Sequence, residues 1–155
     1  MQAELGITFV LVTHDQEEAM SLCQQVAILN HGKLEQLGSP RDLYLSPSSR
    51  FVAEFLGKVN WIDGIGVRPE AVRVATEAPP DGVRGIPATV EQATFLGNFL
   101  EVQSAVAGGC RVTAETSRLN GHYQRGDRVF LWWQPQDELH LSNGPTAGDG
   151  VRGAA

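Results

Sequence analysis

The sequence predicts an α+β protein, with a short α/β segment at residues 1–57 followed by a small all-β domain at residues 60–142. Helix-start signals and the strand-like run ITFVLV lie in the first 57 residues. After Gly57 the chain becomes a series of short strand-like runs separated by glycine-containing pairs, a pattern typical of a small barrel or sandwich. The tail at residues 143–155 is rich in Gly and Ala, so we expect it to be disordered.

The first element is the run ITFVLV at residues 7–12. A continuous apolar run of this kind predicts a central strand that is covered on both faces, as in a parallel sheet. A parallel strand needs parallel neighbours, and the first 57 residues contain no second strand–helix–strand unit. We therefore expect either a longer parent chain or a second copy, with exchanged strands, to cover this run.

Helices and a hairpin should follow the run. Asp15 with Glu18 has the spacing of a capping box, so a helix should begin here. The pair His31-Gly32 separates two strand-like runs and predicts a hairpin. Two further helices should begin at Ser39-Pro40 and Ser46-Pro47, and the second of these should end at Gly57.

The β domain contains reversals and three side chains of special interest. Gly97-Asn98 permits a tight reversal between two alternating strands. Trp132 and Trp133 should lie on opposite faces of one strand, so one of them should be in the core. Arg68 and Arg73 flank Pro69-Glu70, where they either clamp an anion or, as the sequence favours, pair with Glu70 or Asp63.

Composition excludes several classes of protein. The net charge is −6, and basic residues are not clustered, so a nucleic-acid partner is not expected. No apolar run reaches the roughly 18 residues that a membrane span requires. Cys23 and Cys110 lie far apart in unrelated contexts, so we interpret them as buried, reduced thiols of a cytoplasmic protein.

The strings VTHDQEEA and VAILNHGKLEQLGSPRDLYLSPSSRFVAEFLG, followed by GVRPEAVRV and GDRVFLWWQPQDELHL, resemble a known family. They are similar to the carboxyl-terminal part of the ATP-binding subunit of bacterial ABC importers. The group in question includes sulfate, molybdate, iron, polyamine and maltose systems. The resemblance implies a truncated α/β ATPase remnant, with a strand, helices and a hairpin. An OB-like barrel, the TOBE domain, would follow it.

For His14 the resemblance implies both a catalytic and an ATP-contacting role, as the histidine that touches the γ-phosphate. An imidazole N–H at a strand end is suited to stabilise charge in phosphoryl transfer. The alternatives are a hydrogen-bonded capping residue and a metal pair with Glu18, although no further ligand follows. Glu17 and Glu18 point to different faces of a helix and cannot form an acid–base pair.

The motifs that hold ATP and Mg²⁺ in the family are not found in the sequence. There is no G-x-x-x-x-G-K-[ST] string, no strand ending in Asp-Glu and no LSGGQ signature. The resemblance places them before Met1, in the intact parent. We therefore expect the parent to be an ATPase that drives solute import, while this chain alone binds neither ATP nor Mg²⁺ tightly and is inactive.

The resemblance also implies partners. Permease subunits would bind through the ATPase core, which would place the protein at the inner face of the cell membrane. A homodimer is expected, and in some members of the family the β domain binds a regulator or a small oxyanion. EFLGKVNWIDG favours sulfate or thiosulfate as the solute. The alternative is a stand-alone oxyanion-binding or dimerisation module without ATPase activity.

Overall fold

The computed structural model describes residues 8–80, 82–119, 121–139 and 141, and it divides into two compact units, Met1–Leu56 and Gly57–Ala155. The expected disordered tail at residues 143–155 lies outside the described residues. The described part is mostly β, with three short helices that all belong to the first unit.

The first unit combines these helices with one hairpin. Its elements are α1 (Gln16–Leu22), β1 (Val26–Asn30), β2 (Lys33–Gly38), α2 (Pro40–Leu45) and α3 (Arg50–Phe55). β1 and β2 pair in antiparallel fashion. Ile28, Leu43 and Val52 are buried together and form a small core. This core holds the hairpin against helices whose sequences could not bury much surface alone.

The prediction of a strand at residues 7–12 is wrong for the part that the structure describes, because residues 8–12 have no regular secondary structure. A strand is defined by hydrogen bonds to a neighbour, and an apolar sequence cannot supply that neighbour by itself. Within the described part of the chain, the only strand pairing in the first unit is that of β1 with β2. The ATPase-remnant part of the predicted fold is therefore not confirmed.

The turn and cap predictions have mixed outcomes. His31 and Gly32 both have positive φ, 47° and 75°, as a two-residue hairpin turn requires. Ser39 caps α2 as expected, accepting a hydrogen bond from the Asp42 N–H at 3.2 Å. The start predicted at Ser46-Pro47 is wrong, because Ser49 caps α3 instead and accepts from the Val52 N–H.

The side chain of Gln36 explains the shifted start of α3. Its Nε2 donates to the Ser46 carbonyl at 3.1 Å, and its Oε1 accepts from the Ser48 N–H at 2.7 Å. These two bonds hold residues 46–48 against β2 and keep them out of a helix. The Ser46 N–H, in turn, closes the last turn of α2 by donating to the Asp42 carbonyl at 2.8 Å.

The second unit contains eight strands and two single-turn 3₁₀ helices, Pro69–Ala71 and Pro135–Asp137, in the described residues. The strands are β3 (Asn60–Ile62), β4 (Ile65–Val67), β5 (Arg73–Ala75), β6 (Gly85–Phe95), β7 (Phe99–Val106), β8 (Arg111–Ser117), β9 (Arg128–Trp132) and β10 (Glu138–Leu139). The sequence had not predicted β3, although the pair Asp63-Gly64 that joins it to β4 is a hairpin signal.

The main sheet has five strands in the order β5-β9-β6-β7-β8, all antiparallel. Because β9 returns to lie beside β6 after the β6-β7-β8 meander, the four strands form a Greek key. The edge strands β5 and β8 approach within 8 Å between Cα atoms, so the sheet curls into a partly open barrel. A second sheet has the order β10-β4-β3.

The barrel interior is filled by aliphatic residues, most of them valines, and one tryptophan. Val67, Val102 and Leu131 are completely buried, and Trp133 is 1% exposed. The Trp133 indole N–H donates to Glu138 Oε1 at 2.9 Å, so the ring is buried without losing its hydrogen bond. Trp132 is half-buried, which confirms that one of the two tryptophans belongs to the core.

Candidate functional site

His14 lies at the junction between the apolar run and α1, and its side chain is exposed. The two residues that flank it bond to nearby backbone. Thr13 Oγ1 accepts from the Asp15 N–H at 3.0 Å, and Asp15 Oδ1 accepts from the Glu18 N–H at 3.0 Å. The second bond confirms the predicted cap of α1. Glu17 and Glu18 add negative charge to the first turn, where the helix dipole favours it.

An open groove of about 1120 Å³ contains His14. We call it the first-unit groove; it is lined by residues 8–16, by parts of α1 and the hairpin, and by Phe55 and Leu56. Most of its lining is apolar, and none of the described lining residues is Lys or Arg. A triphosphate needs several cationic or N–H donors, so the described residues of this groove do not fit ATP by themselves.

The apolar run beside His14 is uncovered. Val10 is 87% exposed and Val12 is 93% exposed, and Phe9 is 68% exposed. Contiguous exposed apolar residues of this kind are a common feature of protein-interaction surfaces. The first unit therefore presents His14 next to an exposed apolar face.

Arg68 and Arg73 do not form an anion clamp. Arg68 is 3% exposed, and its Nη1 donates to the carbonyls of Gly57 at 3.1 Å and Lys58 at 3.3 Å. The Arg73 guanidinium stacks over Trp132, 5.5 Å from the ring centroid. Asp63, one of the expected partners, pairs instead with Arg84 at 2.6 Å. Both arginines therefore have structural contacts, which is the alternative that the sequence favoured over an anion clamp.

A polar cluster in the second unit was not predicted from the sequence. The Lys58 ammonium contacts Glu101 Oε2 at 2.5 Å, and Gln103 donates to Glu101 Oε1 at 3.1 Å. The hydrogen bond from Lys58 lowers the pKa of Glu101, with a smaller contribution from Gln103, and the same bond raises the pKa of Lys58. Burial raises the pKa of the neighbouring Glu115, and the charge of Glu70 raises it further. No sequence pattern connects Lys58 with a carboxylate 43 residues away.

A second groove, of about 580 Å³, lies at one end of the main sheet. Ala88, Ala105 and Phe130 are among its residues, together with Thr89 and Arg128. Its lining is largely apolar, and Arg128 is its only Lys or Arg among the described residues.

In the described part of the chain, no three His, Cys, Asp or Glu residues are arranged to hold a metal ion. No helix there is both long and apolar enough to cross a membrane.

Comparison with known domain families identifies the curled sheet. Residues 65–141 match the TOBE domain. The match begins at β4, covers the whole five-stranded sheet and ends just after β10. The expected TOBE region is therefore confirmed for the second unit.

The chain is also similar to curated proteins across both units. It is 34% identical over 148 residues, covering 92% of its length, to the spermidine/putrescine import ATP-binding protein PotA of Bacillus thuringiensis (strain Al Hakam). PotA of Thermobifida fusca (strain YX) is 31% identical over 181 residues, with 91% of this chain covered. The chain spans about half the length of these relatives, 45% and 46% respectively.

The relatives do not support sulfate as the solute. Both are named for import of spermidine and putrescine. The interpretation of EFLGKVNWIDG as a sulfate or thiosulfate signal is therefore not supported. Among solved structures, the molybdate-bound cytoplasmic molybdate-binding protein ModG has a TM-score of 0.44 and 16% identity, covering 48% of this chain and 57% of that one.

Proposed function

We propose that this chain acts as part of the ATP-binding subunit of an ABC importer. The observation that supports it best is the similarity to PotA ATP-binding proteins, which extends over 92% of the chain and so includes both units. The TOBE match of the second unit and the VTHDQEEA string of the first agree with it. In this proposal the subunit couples ATP hydrolysis to solute uptake.

His14 is the residue of this chain that contacts ATP in the proposal. A neutral imidazole has one N–H donor, which can meet a phosphate oxygen that gains charge during phosphoryl transfer. The first-unit groove supplies no described Lys or Arg. The phosphate cradle and the Mg²⁺ ligands therefore come from other parts of the subunit, and this chain alone neither binds ATP tightly nor hydrolyses it.

The uncovered apolar run defines the expected contacts. Residues 9–12 pack against the rest of the ATP-binding subunit. When this chain is studied alone, they pack against a second copy of it. The subunit binds membrane permeases from the cytoplasmic side, and the TOBE region mediates dimer or regulator contacts. We propose polyamines as the transported solutes, because the curated relatives are named for spermidine and putrescine.

A chimera tests the proposal. The remaining part of the Bacillus thuringiensis relative is placed before residue 1 of this chain, and ATP hydrolysis and spermidine uptake are measured with the cognate permeases. We expect turnover in the chimera and a loss of about 10²- to 10³-fold in His14→Ala, because one donor to the reacting group is removed. His122→Ala, an exposed histidine of the second unit, is the matched control.

Two results would contradict the proposal. Full turnover in the His14→Ala chimera would exclude the role of His14. Saturable micromolar binding of a fluorescent ATP analogue to this chain alone would show that ATP binding does not require a phosphate cradle from other parts of the subunit. Tight, saturable molybdate binding in equilibrium dialysis would instead favour a stand-alone oxyanion-binding module.

A further inference from the structure

The backbone at His14 is fixed by the side chains of its two neighbours. The Thr13 hydroxyl oxygen accepts from the Asp15 N–H at 3.0 Å, which closes a turn with His14 at its centre. Asp15 Oδ1 then accepts from the Glu18 N–H at 3.0 Å, and the Asp15 carbonyl accepts from the Ala19 N–H at 3.2 Å. The turn at His14 therefore runs directly into the first turn of α1.

These bonds are the structural restraints that the described residues provide close to His14. Residues 8–12 belong to no strand, so the run before the turn does not fix the histidine. Each bond spans at most four residues, so it forms without any tertiary partner. The conformation at His14 is consequently encoded locally, even though the apolar face beside it is uncovered.

We propose that Thr13 is a positioning residue for His14, with Asp15 as its support at the start of α1. This inference rests on the proposed function, because it concerns how the imidazole reaches the terminal phosphate. A turn closed by a hydroxyl removes backbone conformations that the histidine would otherwise sample. Presentation in one geometry matters because small misplacements of a reacting or stabilising group reduce the rate strongly.

The first test uses the chain as it exists and needs no activity. Thr13→Val is nearly isosteric and replaces the hydroxyl with a methyl group, which removes the acceptor oxygen, whereas Thr13→Ser keeps that oxygen. We expect the amide order parameter of Asp15 to be about 0.85 in the wild type and in Thr13→Ser, and to fall below about 0.6 in Thr13→Val. Ser21→Ala is the control, because its hydroxyl also bonds to backbone in α1, donating to the Glu18 carbonyl, but does not adjoin His14. Unchanged order in Thr13→Val would overturn the proposal.

The second test places the same variants in the chimera described above. Thr13→Val should lower kcat by about tenfold or more at unchanged KM for ATP, and Thr13→Ser should restore it. Full turnover in His14→Ala refutes the proposed function. If His14→Ala lowers turnover as expected while Thr13→Val leaves kcat unchanged, the role of His14 holds and the positioning role of Thr13 is refuted.

Discussion

The side chain of Asn60 closes an open edge of the main sheet, and its removal should be costly. Asn60 is 7% exposed. Its Oδ1 accepts from the Thr113 N–H at 2.8 Å, and its Nδ2 donates to the Thr113 carbonyl at 2.8 Å. Thr113 belongs to β8, an edge strand of the five-stranded sheet. The Asn60 amide thus satisfies the Thr113 N–H and carbonyl, which face away from β7 and would otherwise have no hydrogen-bond partner.

The magnitude follows from these two bonds. Each buried hydrogen bond contributes about 1 kcal/mol, and a backbone group left buried without a partner adds its own desolvation cost. We therefore expect Asn60→Ala to lower the free energy of unfolding of the second unit by about 2–4 kcal/mol. Asn60→Asp should cost at least as much, because a carboxylate cannot donate to the Thr113 carbonyl.

Tryptophan fluorescence during urea unfolding measures this effect selectively. All three tryptophans, Trp61, Trp132 and Trp133, lie in the second unit. With a slope of about 1–2 kcal/mol per molar urea, the midpoint should fall by about 2 M in Asn60→Ala. Asn98→Ala, at an exposed turn between β6 and β7, is the control and should not shift it. A shift below about 0.3 M in Asn60→Ala would refute the edge-closing role.

Three further predictions concern stability and association. Ser104 is completely buried, and its hydroxyl has no hydrogen-bond partner among the residues that the structure describes. Ser104→Ala should therefore raise the unfolding free energy, measured by urea unfolding, by about 1 kcal/mol, and a decrease would contradict this. Glu115 has a raised pKa, caused first by burial and then by the charge of Glu70, so its contribution to stability falls as pH rises from its unfolded pKa through its folded one. Glu115→Gln should therefore raise the melting temperature at pH 7 and leave it unchanged well below pH 4.5, the ordinary value for Glu; equal shifts at both pH values would exclude the mechanism. Because Val12 is 93% exposed, we expect the chain to self-associate in light scattering and Val12→Glu to weaken that association; a wild-type monomer at high concentration would argue against it.

Prediction from sequence succeeded where the determining contacts are local. The Asp15 and Ser39 caps bond to N–H groups three residues ahead, and the turn at His31-Gly32 needs only positive φ. It failed at Ser46-Pro47, which carries an equally good local signal. At that point the side chain of Gln36, ten residues earlier in the chain, donates a hydrogen bond to the Ser46 carbonyl and keeps this segment out of a helix. Tertiary hydrogen bonds override a helix-start signal of comparable strength.

The candidate site divides in the same way. The bonds that hold the backbone at His14 span a few residues, and the sequence VTHDQEEA already singled out that histidine. The cluster of Lys58 and Glu101 joins residues 43 positions apart, and the pairing of Asn60 with Thr113 joins residues 53 apart. No periodic pattern in the sequence predicts contacts between residues so far apart, because periodicity indicates only the face of a helix or strand on which a residue lies.

The sequence by itself determined the order of the two units, the alternating strands of the second one and the identity of His14 as the candidate site residue. These depend on periodicity, turn chemistry and a short motif, all of which act over a few positions. Only the tertiary structure decided that residues 8–12 form no strand and that Arg68 is bonded to the carbonyls of Gly57 and Lys58. The physical reason is that hydrogen-bond partners are chosen in space, among groups that the linear order does not bring together.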